Sequence, residues 1–248
     1  MTEYCQAIID FLGCDYELFE NEKSGEKIIN RWNELAEQGK KEGFFPLLIL
    51  PEDMLAETLE VALEDVDAEN TREGASVLRK SILQQAADID PKAFLQGRLA
   101  EHWETFDGVD IRGEFKKCEP YNSFYSFVDG KKPYPELIIA KVPAKHPWEL
   151  PAWFPMGGFN SCPRPAEQVA VFKYWHEKYG AVPCVVTGAN WEMGLTNPPL
   201  TDADAEALAE EQFAFCEDIV VQAKFGWDTI RARASILKGS TTWYFWWD

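Results

Sequence analysis

The chain has 248 residues, 46% of them hydrophobic and 14% aromatic, which is enough to bury a sizeable core and excludes a disordered chain. Its 42 acids against 24 bases leave a net charge of −18, a field that repels phosphate backbones and anionic membrane surfaces. Nucleic acid and membranes are therefore not expected as partners, and a basic protein is.

The opening "MTEYCQAIIDFLGCDYELFENEK" is acidic where a secretion signal would carry a basic stretch before an apolar one. No apolar run approaches the roughly 18 residues of a membrane span. The six cysteines include no C-x-x-C pair, so free thiols and a cytoplasmic location are expected.

Residues 1–133 hold 28 of the 42 acids, whereas residues 134–248 hold most of the ten tryptophans in Pro- and Gly-rich surroundings. Two regions are expected on that basis: a helix-rich acidic one over 1–133 and an α+β one over 134–248, intimately packed. In the first, "EKIINRWNELAEQGKK" sets Ile28, Ile29, Trp32 and Leu35 at helical spacing before Gly39 and Gly43. "FFPLLIL" from Phe44 has the length of a buried strand. "EDMLAETLEVALEDV" repeats Met54, Leu55, Leu59, Ala62 and Leu63 behind a first turn of acids, as a helix does. Two further helices are expected at "TREGASVLRKSILQQAADI" and "DPKAFLQGRLAEHWETF", the latter with Asp90 as cap and Pro91 at its first position.

From Tyr121 the texture changes. "YNSFYSFV" and "ELIIAKV" flank "DGKKPYP" and predict a hairpin whose second strand runs from about Glu136 to Val142. A loop of about 23 residues follows, "PAKHPWELPAWFPMGGFNSCPRP", longer than structureless loops usually are. Next come a helix at "PAEQVAVFKYWHEKYG", strands at "VPCVVT" and "NWEMGLT", helices at "TDADAEALAEEQFAFCEDIVVQ" and "WDTIRARASIL", and a closing strand "TTWYFWW". The succession β-α-β-β-α-β predicts a ferredoxin-like C-terminal unit within an α+β fold. "RWNELAEQGKKEGFFPLLIL" and "YWHEKYGAVPCVVT" echo each other as helix, glycine and strand, an order that a duplicated unit would leave.

At "VPAKHPWELPAWFPMGGFNSCPRP", "YWHEKYGA", "EQFAFCEDIV" and the terminal "WYFWWD" the chain resembles a bacterial family catalogued as domain of unknown function four-two-five-three, over about residues 136–248. The resemblance implies a bacterial intracellular protein with a compact domain at this end. It supplies no catalytic residues.

Alternation in a terminal strand puts Trp243, Phe245 and Trp247 on one face and Tyr244, Trp246 and Asp248 on the other. Burial on both faces is the expectation, with exposed rings as interaction anchors the alternative. In "GGFNSCP", Cys162 before a helix start and His176 along that helix are candidate nucleophile and base, although about three helical turns separate them. His102, His146 and His176 are the only histidines, and no zinc spacing, phosphate loop, dinucleotide fingerprint or hydrolase elbow occurs, so no metal or cofactor is expected.

The residues thus favour a non-enzymatic binding protein for a basic partner, by analogy an immunity or accessory protein. The alternative is an enzyme or small-ligand binder whose pocket combines the loop from Ala144 to Pro165 with the C-terminal aromatics. For that pocket the candidate residues are Trp148, Trp153, Asn160, Trp175, Trp243 and Trp246. A homo-oligomer built on the aromatic strand is the third possibility.

Overall fold

The computed structural model describes residues 1–248. Thr2 caps α1 (Glu3–Leu12), its hydroxyl accepting the Cys5 N–H at 3.3 Å. After β1 (Tyr16–Glu20), α2 (Gly25–Glu42) runs from a Ser24 cap to Gly43, whose φ of 82° lets the chain turn sharply into β2 (Phe45–Ile49). Then come α3 (Asp53–Glu64), α4 (Arg72–Ala87), capped by Thr71, and α5 (Pro91–Thr105), capped by Asp90 with Pro91 in its first turn. Residues 106–127 form neither helix nor strand.

Two short strands, β3 (Val128–Asp129) and β4 (Lys132–Pro133), precede β5 (Glu136–Val142). A 3-10 turn at Pro147–Glu149 and α6 (Leu150–Trp153) lead to α7 (Pro165–Tyr179), β6 (Val182–Val186) and β7 (Asn190–Gly194). The chain ends with α8 (Asp202–Phe215), α9 (Asp218–Val221), α10 (Ile230–Leu237) and β8 (Thr242–Trp246). No helix is long and apolar enough to cross a membrane.

One six-stranded mixed sheet, in the order β1-β5-β2-β6-β7-β8, organises these elements into an α+β fold. Only β2 and β6 pair in parallel, through Leu48 with Val185 and Ile49 with Val186; every other neighbour is antiparallel. Side chains alternate across it. Leu47 and Ile49 of β2, Ile138 and Ala140 of β5, and Trp191 and Met193 of β7 enter the larger core, with most of the helices. Leu48, Leu137 and Ile139 enter a smaller core on the opposite face, where Ile28 and Leu35 of α2 close over them.

The expected ferredoxin-like pairing does not form. The elements β5, α7, β6, β7, α8 and β8 follow one another along the chain in the expected order, but β5, which such a unit would seat between its third and fourth strands β7 and β8, is flanked instead by β1 and β2. The hairpin expected between "YNSFYSFV" and "ELIIAKV" is reduced to the pairs Val128–Pro133 and Asp129–Lys132. Both edges of β5 are already filled by β1 and β2, and the N–H groups of Tyr125 and Ser126 go instead to a carboxylate. The two echoing segments end in the neighbouring parallel strands β2 and β6, with their helices on opposite faces of the sheet.

Candidate functional site

A groove of about 870 Å³ opens between the end of α4, the start of α5, the 3-10 turn and the outer face of α7. Apolar side chains from α4 and α7, among them Leu83, Ala86, Val169 and Ala170, line it, with Trp148 and Tyr174 as aromatic walls. Both walls are held in place. Trp148 stacks on His146 at 4.2 Å between ring centroids and meets the His176 ring at 4.9 Å, while the Tyr174 hydroxyl donates to Glu211 Oε1 at 2.8 Å.

Of the binding candidates read from the sequence, Trp148 lines this groove and the others lie elsewhere. Trp153 is buried beneath the Arg79 guanidinium, which lies 3.1 Å from its ring centroid. Asn160, exposed and left-handed at φ 46°, donates its side-chain amide to the backbone carbonyl of Asp248. Trp175 and Trp243 are fully buried with centroids 5.5 Å apart, and Trp175 also stacks on Phe245 at 5.4 Å. Trp246 points to the opposite side of β8 and is half-buried. The aromatic terminus thus completes the larger core with one face, through Trp243, Phe245 and Trp247.

The structure does not join Cys162 to His176. The Cys162 thiol is buried beside Met156 and the Gln168 amide, and burial pushes its pKa well above the ordinary thiol range. Nδ1 of His176 faces the Ala181 carbonyl at 3.0 Å. No three His, Cys, Asp or Glu side chains converge as a metal site would require.

Gln168 is the residue that sequence reasoning missed here. Its amide donates to the carbonyls of Met156 at 2.7 Å and Pro163 at 2.8 Å, and its oxygen accepts Trp191 Nε1 at 2.8 Å. A Cβ on Gly157 would lie 2.3 Å from Gln168 Nε2, so the glycine at this position lets the loop wrap the amide. Arg98 fastens the same loop to the front of the chain by donating to the carbonyls of Ser161 and Ala214, both at 2.7 Å.

A second polar cluster lies on the reverse side of β7 and β8. The Glu192 carboxylate is fully buried and accepts the N–H groups of Tyr125 and Ser126 at 3.0–3.1 Å, and burial raises its pKa to about 7 despite those bonds. The Tyr125 ring covers Tyr244 at 4.8 Å, and Asn190 donates to the Tyr244 hydroxyl at 3.2 Å. Arg233, buried with no carboxylate partner, donates to Gln212 Oε1 at 2.7 Å and the Tyr244 carbonyl at 3.0 Å; burial pulls its pKa down to about 10. The alternation of Asn190 and Glu192 with Trp191 and Met193 resembles that of a solvent-facing strand, and only the tyrosines of "EPYNSFYSF" hinted at a cover.

The family model described as "Domain of unknown function (DUF4253)" matches residues 138–248, in agreement with the resemblance seen over about 136–248. No curated protein and no solved structure matches the chain. The groove joins this segment, through Trp148 and α7, to α4 and α5, which precede it. The match spans 111 of the 248 residues, all of them in the second half of the chain.

Proposed function

We propose that the protein is a non-enzymatic binding module for a basic protein, and that the outer face of α3 with the turn after it is the docking surface. The observation that carries this reading is the segment from Glu52 to Glu73, which holds nine acids against one base, Arg72. Asp53, Glu57, Glu60, Glu64, Asp65, Asp67, Glu69 and Glu73 are exposed, and none forms an ion pair. Glu206, by contrast, is paired within the fold with Arg112 at 2.6 Å and Arg231 at 3.0 Å.

Leu55, Leu59 and Leu63 anchor α3 to the core, while Met54 and Val61 stand 39% and 59% exposed among the acids. Apolar side chains within a single-sign field suit a protein partner, since charge speeds encounter and apolar contact prolongs it. Immunity and accessory proteins work in this way, an analogy of surface only.

The test is capture from host lysate with the wild-type chain and with a variant carrying Glu57→Gln, Glu60→Gln, Glu64→Gln and Asp65→Asn. A stoichiometric basic partner held by the wild type, released as salt rises from low to moderate, and bound at least tenfold more weakly by the variant is the expected result. A partner retained equally by both proteins would show that this face is not the docking surface.

A further inference from the structure

We infer that Arg79 anchors a binding site for a small oxyanion, a carboxylate or a phosphate, where α4 meets α6 and the turn after α1, a site separate from the acidic face of α3. The Arg79 side chain is half-buried, and its guanidinium lies over the Trp153 ring of α6. It donates no hydrogen bond to the protein, and its Nε is sealed from solvent without an acceptor. It forms no ion pair, either with Asp15 in the neighbouring turn or with any other acid.

Other arginines of the chain are committed. Arg31, Arg98, Arg112, Arg231 and Arg233 each donate to a side-chain or backbone oxygen. Arg79 stands apart as a half-buried guanidinium whose donors the fold leaves unmet, and such a group lowers stability unless something from outside supplies the acceptor.

The geometry selects the chemistry of that acceptor. A guanidinium held by its face keeps its N–H bonds, which lie in its plane, for groups at its rim. Nε is covered by protein, whereas Nη1 and Nη2, neither bonded nor sealed, reach the surface. Two donors side by side match two oxygens of one carboxylate or phosphate. No carboxylate of the chain fills this role: burial pulls the Arg79 pKa down to about 10, and the one ionisable group that opposes the shift is the Cys14 thiol, itself pushed up to about 12 and so uncharged at neutral pH. The net charge of −18 works against every anion, so the ligand must be held by directed hydrogen bonds, and chloride, a single acceptor atom, is a poor substitute.

The experiment is a proton–nitrogen correlation titration of the arginine Nε–H groups in the full chain, with sodium phosphate and, separately, sodium acetate replacing sodium chloride at constant ionic strength. Phosphate, acetate or both should shift the Arg79 resonance saturably, while Arg112 and Arg231, already paired with Glu206, stay in place. Which of the two acts distinguishes a phosphoryl from a carboxyl ligand. Arg79→Met keeps an apolar stem against Trp153 and removes the donors, so the binding anion should raise the melting temperature of the wild type by more than that of this variant. Arg79→Lys, a point charge without the fork, should bind more weakly by about threefold or more.

An Arg79 resonance that moves no more with phosphate and acetate than with chloride, or an Arg79→Met variant stabilised as much as the wild type, would overturn the proposal and leave water as the acceptor. If Arg79→Met fails to fold, the wild-type titration still decides. The variant with neutralised α3 acids should keep the response, so this result and the protein-capture result stand or fall separately.

Discussion

The Glu192 carboxylate accepts the backbone N–H of Tyr125 at 3.0 Å and so ties the irregular segment 106–127 to the last strands of the sheet. Burial raises the folded-state pKa of this group from 4.5 to about 7, so the folded chain takes up its proton more readily than the unfolded one. The stability this contributes is fully present below about pH 4.5 and is lost as the pH rises through 7.

Glu192→Gln retains an acceptor oxygen and removes the charge. At pH 8 it should be more stable than the wild type by up to about 3 kcal/mol, at about 1.4 kcal/mol per pKa unit. Urea denaturation at pH 5 and pH 8 reads the difference, and a variant with the same pH slope as the wild type would show that another group titrates.

The stacked pair of Trp175 and Phe245 sets the second expectation. Phe245→Ala should cost about 3–5 kcal/mol, as large aromatic truncations in a closed core do. Trp246→Ala, on the partly exposed face of the same strand, should cost about 2 kcal/mol by area. Equal costs for the two would mean that both faces of β8 are covered to the same degree.

Removing the Gln168 amide leaves Trp191 Nε1 and the Met156 carbonyl without a partner, and the Pro163 carbonyl with only the Gly158 N–H at 3.3 Å. Gln168→Ala should destabilise by about 1–3 kcal/mol. It should also open Cys162 to alkylation: in the wild type iodoacetamide labels this thiol only as fast as the loop opens, whereas in the variant labelling quickens without denaturant. Rapid labelling of native wild-type Cys162 would contradict its burial.

A fragment of residues 134–248 keeps β5 through β8 but lacks β2, which stands between β5 and β6. It should be insoluble or melt without cooperativity, as judged by circular dichroism. A soluble fragment with a sharp transition would show that the family segment closes its own sheet.

Legibility in the sequence followed locality. Asp90 and Thr201 announce their helices because capping is settled within four residues, and β5 was legible to its ends because Leu137 to Ala140 are apolar on both faces. The first helix does repeat Cys5, Ile8, Phe11 and Leu12 at helical spacing between Thr2 and Gly13 and was legible in principle, whereas β1 has half-buried and exposed positions throughout, without a clean alternation. The sheet order was not legible, since nothing in "FFPLLIL" says which strands it separates.

The site followed the same rule. Trp148 could be suspected from its Pro-rich loop, but its partners in the groove come from α4 and α5, some sixty residues upstream, and Glu192 sits in a pattern typical of a solvent-facing strand although residues 125 and 126, far away in sequence, lie over it.

The placement of β5 between β1 and β2 has a consequence for synthesis. These two strands share no ladder with each other, and each needs β5 as a neighbour. At roughly 5–20 residues per second on the ribosome, β2 emerges several seconds before β5, and during that interval its Leu47–Ile49 edge has no native mate. The growing chain therefore passes through a stage in which a hydrophobic strand is open to chaperones or to a neighbouring nascent chain, and the dense acidity of its first half keeps such neighbours apart.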